Sequence, residues 1–274
     1  MPYRRADRMY PLPRHGRHRI AALGVSAMLA AAPAPMAASP EPPFDATADT
    51  VFDIIATGDA SAFLCLEDRG REVRQMWDKR IDGERDLNAF LFVAHFSDSA
   101  PIDIVLNPEF GDTGSARAEA ERYARPLGQL PALLRSGLRQ FGIHKGDKGY
   151  HGGPGKVFVY SGKTDLRLSQ DHLEESLFHE AVHASLDRDH ARSDDWRAAQ
   201  AADDAFVTRY AQEHPEGEDL AETALFAYGL IYRPGRIPPA DAAAIRARVP
   251  ARLAVLATIL SLPPPAHDGT PACP

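Results

Sequence analysis

Two cysteines occur among 274 residues, Cys65 and Cys273, and they lie far apart. Neither has the spacing of a zinc knuckle. Methionine stops at Met76. No apolar run is long enough for a comfortable membrane span: the longest, Ile20 to Ala32, falls short of the twenty or so residues that a bilayer requires. A surplus of basic side chains is missing too, since the formal net charge is −7. That balance argues against a nucleic-acid partner and against an anionic membrane surface. The glycines of Tyr150-His-Gly-Gly-Pro-Gly155 lack the lysine and following helix of a phosphate loop, so the segment reads as a mobile loop near a cleft. Internal repeats are absent.

The amino terminus places Arg14, Arg17 and Arg19 before the short apolar run, followed by Pro-Ala-Pro-Met36-Ala37-Ala38-Ser39. This order of basic, apolar and small residues describes a secretory signal peptide over residues 1–38, so a secreted or periplasmic location is expected. The mature chain would keep 25 basic and 37 acidic side chains, a formal charge of −12. Its residues 39–262 suffice for one substantial domain. The Pro-rich tail 263–274 reads as disordered. In an oxidising compartment Cys65 and Cys273 can pair and tie that tail down; equally, Cys65 can be a buried thiol and Cys273 a free one.

The most informative string is His179-Glu180-Ala181-Val182-His183. Two histidines four apart share one helix face and can hold one metal, while the glutamate between them can take a proton from a water on that metal. Ser169 suits an N-cap, Asp171, Glu174 and Glu175 suit a helix start, and Leu173, Leu177, Ala181, Val182 and Leu186 mark a buried stripe. A catalytic zinc site needs a third protein ligand and an open fourth position. The metzincin arrangement fails, because Leu186 stands at the glycine position before Asp189 and no methionine follows for a Met-turn. Glu218 and Glu222 remain, four apart on a helix expected from Glu218 to Tyr232. Glu222 sits among Ala221, Ala224, Leu225 and Phe226, where an unpaired carboxylate is costly.

These residues resemble the gluzincin metallopeptidases, which carry His-Glu-x-x-His on one helix and a glutamate ligand on a later one. His183-Ala-Ser-Leu-Asp187 is similar to the thermolysin-like continuation, and Glu218-Asp-Leu-Ala-Glu222 is closer to the anthrax-lethal-factor-like peptidases. The resemblance covers roughly residues 90 to 232. It implies zinc on His179, His183 and Glu218, with Glu222 supporting a ligand histidine. The interval between the two helices is shorter than in the toxin peptidases, so the choice between Glu218 and Glu222 stays open. Tyr210, shortly before the ligand helix, and His151 are candidate donors to an oxyanion; Tyr210 is preferred because the toxin-type peptidases place a tyrosine in that region. Asp187 is a candidate to orient a ligand histidine.

The expected fold is α+β and zincin-like: a small mixed sheet with the active-site helix in an amino-terminal lobe, and a mainly helical carboxy-terminal lobe, with the cleft near residue 190. Strands are expected at Ala89 to Phe96, Ile102 to Leu106 and Lys156 to Tyr160, with Val157 to Tyr160 as a cleft edge for an extended peptide. Helices are expected at Thr47 to Gly58, Ser115 to Phe141 (kinked or split by Pro126 and Pro131), Trp196 to Glu213, Ala240 to Val249 and Arg252 to Leu262. The expected function is a monomeric zinc peptidase acting on a peptide or protein. The alternatives are a zinc amidase for cell-wall peptides, or a non-catalytic binding module with a structural or vestigial zinc site.

Overall fold

The computed structural model describes residues 41–274 except 204, 262, 266, 267, 269–271 and 274. The expected signal peptide lies outside the described residues. Among them no helix is long and apolar enough to cross a membrane.

Among the described residues, six strands form one mixed sheet in the order β1-β2-β3-β4-β6-β5. The long strands β1 (Phe63–Asp78) and β2 (Gly83–Phe96) make an antiparallel hairpin, joined by β3 (Ile102–Leu106). β4 (Gln140–His144) pairs in parallel with β3 and with β6 (Lys156–Tyr160), and β5 (His151–Gly153) closes the far edge antiparallel to β6. Alternation along β2 sorts the two faces: Phe90, Phe92 and Ala94 enter the main core, whereas Ala89 and Leu91 join a small cluster with Met76, Val105 and Phe158 on the other side.

The main core lies under α1 (Thr113–Gln129) and α2 (Ala132–Gly137). Asp112 caps α1 by accepting from the Ser115 amide at 2.9 Å. Pro131 splits the pattern as expected, while Pro126 stays inside α1. The expected helix to Phe141 overshoots. Phe141 and Ile143 are fully buried in β4 between two parallel strands, where a short apolar run has no helical signature of its own.

α3 (Ser161–Ser169) was not expected, and Ser169 ends it instead of capping the next helix. The turn at Asp171, with φ 52°, separates it from α4 (Leu173–Ser185), whose cap is His172. After the one-turn α5 (Asp187–His190), the carboxy-terminal region is helical: α6 (Asp194–Asp203), α7 (Arg209–Glu213), α8 (Asp219–Tyr232), α9 (Pro239–Arg248) and α10 (Pro250–Ile259). The single helix expected from Trp196 to Glu213 is therefore two. Asp203 ends the first by accepting from the Ala251 and Arg252 amides, and Thr208 caps the second.

The helix expected at Thr47 to Gly58 is a 3₁₀ turn at Thr47–Asp49 followed by irregular chain. Its amides find distant carboxylates in place of local carbonyls. Thr47 donates to Glu222, and Ile54 and Ile55 both donate to Glu175, each at 2.8 Å. At the other end of the chain, Cys273 is disulfide-bonded to Cys65, and Asp268 accepts from the Ser61 amide at 2.9 Å. These two tail residues are thus held against the body of the fold.

Candidate metal centre

Burial of Leu173, Leu177, Phe178, Ala181 and Val182 fixes the rotation of α4. That rotation leaves His179, Glu180 and His183 half-buried along the opposite stripe. α8 is held by Leu220, Ala221, Ala224 and Leu225, and Glu218 occupies its N-cap, where the helix dipole favours a carboxylate.

Three ligand atoms converge. His179 Nε2 and His183 Nε2 are 3.1 Å apart, and Glu218 Oε2 lies 3.2 Å from the first and 3.3 Å from the second. A tetrahedral zinc about 2.0–2.1 Å from each donor sets donor separations of about 3.3–3.4 Å. The cluster is nearly preset to that spacing, and its two imidazoles and one carboxylate are a donor set that zinc accepts. Of the two candidate glutamates, Glu218 is the one whose oxygen meets both imidazoles.

The outer nitrogens face carboxylates. His183 Nδ1 is 2.7 Å from Asp187 Oδ2. His179 Nδ1 is 3.4 Å from Glu222 Oε1 but outside hydrogen-bond geometry, and it has no other partner among the described residues. Glu222 instead accepts from the amide and the hydroxyl of Thr47, both at 2.8 Å. Burial opposes charge on His183, yet Asp187 and Glu218 overcome it and lift its pKa to about 10. Burial pushes Glu218 the other way, but the two imidazoles hold its carboxyl well below the usual range. Burial raises the pKa of Glu180 against the pull of the histidines. Three or more carboxylates around two imidazoles make a pocket that favours a cation.

The cluster opens on a cavity of about 500 Å³. β5 forms one wall so close to α4 that a methyl on Gly152 would collide with the Glu180 carbonyl and lie 2.7 Å from His183 Cβ. β5 is also the last strand in the sheet order. Val157 and Phe158 are therefore not the cleft edge, because β5 covers β6 there on one side and β4 on the other, whereas Val159 and Tyr160 pair with β4 alone. The glycine-rich segment expected as a mobile loop is this edge strand and its turn. His151 lines the cavity with its ring 4.4 Å from that of Trp77, and burial with Lys79 nearby lowers its pKa. Tyr210 also lines the cavity, and burial and Glu218 push its hydroxyl up to about 12.

Lys79, Lys163 and Arg167 at the cavity, and Thr47 behind Glu222, went unnoticed in the sequence. No local signal marks them, since Thr47 and Glu222 are 175 positions apart. No protein-family model matches the chain, and no curated protein or solved structure matches it. The His179, His183 and Glu218 cluster is itself the indication that the site could hold a metal ion.

Proposed function

We propose that the chain is an exported zinc-dependent peptidase of gluzincin type, with His179, His183 and Glu218 holding the metal. The observation that carries this reading is the convergence of those three donors at tetrahedral spacing beside Glu180. Zinc held there would supply a water of pKa about 7 and polarisation of the scissile carbonyl. Glu180, its pKa raised by burial, accepts the proton of the attacking water and delivers it to the leaving amine. Tyr210, protonated at neutral pH, donates to the developing oxyanion, and His151, also lining the cavity, is a second donor. Asp187 orients His183 and raises its basicity. The exposed side of β5 offers an extended peptide a strand to pair with.

A structural zinc is the weaker reading. Closure by a fourth protein ligand calls for Glu222, and both of its oxygens are engaged by Thr47. Export is supported by the Cys65–Cys273 disulfide, which belongs to an oxidising compartment. The test is Glu180→Gln, compared with the parent chain at equal zinc content on an unfolded protein substrate. Hydrolysis should fall about 10²–10⁴-fold. Unchanged hydrolysis would remove Glu180 from the reaction.

A further inference from the structure

At the amino-terminal end of the helix that carries His179, Asp53 from the preceding segment, His172 and Glu175 bring one potential ligand atom each to within 4.8 Å of one another. His172 and Glu175 are 2 % and 1 % exposed, and Asp53 is at the surface. His172 Nε2 is 3.1 Å from the Thr47 carbonyl oxygen, which can only accept. It is also 3.0 Å from the Thr50 hydroxyl. The Nε2 proton is thereby fixed, and in the neutral ring Nδ1 presents a lone pair. That nitrogen is 3.9 Å from Glu175 Oε2. Glu175 Oε1 is satisfied by the Ile54 and Ile55 amides, but Oε2 is buried with no hydrogen-bond partner among the described residues.

A lone pair, an unpartnered buried carboxylate oxygen and a second carboxylate facing one point are unfavourable unless positive charge lies between them. Arg236, whose charge is felt at Glu175, does not supply it: its guanidinium donates to Asp59 and to the Ile54 carbonyl. The amino terminus of α4 adds about half a positive charge. Two carboxylates exceed that.

We propose that Asp53, His172 and Glu175 form a second divalent-cation site, of zinc type, that fastens the amino-terminal segment to α4. One imidazole and two carboxylates suit zinc better than calcium, which takes six or more oxygens. Asp53 belongs to the segment, whereas His172 and Glu175 belong to the cap and first turn of α4. Ala46, Thr47 and Ala48 of the same segment line the main cavity, as does Glu175 itself, so the second ion steadies a cavity wall. The inference does not rest on the peptidase reading.

The experiment is zinc counting by elemental analysis after the exported chain is stripped, reloaded with Zn²⁺ and dialysed, alongside limited proteolysis of the amino-terminal segment. Parent chain, Asp53→Asn and His183→Ala are compared. Asp53 is exposed, so its loss leaves the fold intact. The expected result is two ions in the parent and one in each variant, with the segment losing zinc-dependent protection only in Asp53→Asn. One ion in the parent, retained in Asp53→Asn and lost in His183→Ala, would overturn the second site and assign a proton to Glu175, while leaving the main centre intact. Loss of an ion in Asp53→Asn but none in His183→Ala would support the second site and overturn the main centre.

Discussion

Gly152 of β5 lies flat against Glu180 of α4, with no room for a single methyl group between the strand and the helix. The sheet edge and the helix bearing the two histidines are therefore in backbone contact. Glu180 is set at the cavity wall by that contact as much as by its own helix. Gly152→Ala should push β5 outward and cost about 1–3 kcal/mol of stability by overpacking. Zinc content should stay at the parent level while hydrolysis falls, because the strand proposed to receive substrate has moved. Equal hydrolysis in the two chains would show that β5 is no part of the substrate site.

Protons and zinc compete for the same nitrogens. In the stripped chain His183 has a pKa raised from 6.5 to about 10 by Asp187 and Glu218 against the opposition of burial. A raised histidine pKa stabilises the fold fully below pH 6.5, and that contribution is lost as pH climbs through 10. The urea midpoint of the stripped chain should accordingly fall between pH 6 and pH 9. Zinc replaces the proton, so the loaded chain should show a smaller fall, and the stabilisation by added zinc should grow with pH. A stripped chain equally stable at both pH values would separate His183 from its two carboxylates.

The string from His179 to His183 was readable because a helix makes four-residue spacing geometric. The same holds for Glu218 and Glu222, which share a face and yet meet different partners. Which of them faces the histidines depends on where α8 packs, and no local pattern encodes that. β3 and β6 announced themselves as compact apolar runs with the bounds that the sequence suggested. β1 did not. Its middle, Glu67 to Arg74, is charged and largely exposed, as suits an edge strand that must not aggregate. The amino-terminal segment misled for a different reason: its amides are satisfied by Glu175 and Glu222, more than 100 positions away. β4 was absorbed into a helical pattern because Phe141 and Ile143 are buried on a strand between two parallel neighbours.

The disulfide closes a separation of 208 residues between β1 and the tail. Cys273→Ser should cost about 2–5 kcal/mol in urea unfolding, toward the upper end because the closed loop is long. Reducing agent should have the same effect on the parent chain and none on the variant. An equal response in both would show that the bond contributes nothing to stability.

The central claim is that His183 holds a metal together with His179 and Glu218. Its most direct test is the zinc content of the parent chain and of His183→Ala, each purified from cells without added metal. The account predicts one ion fewer per chain in the variant. Equal zinc in both would contradict it.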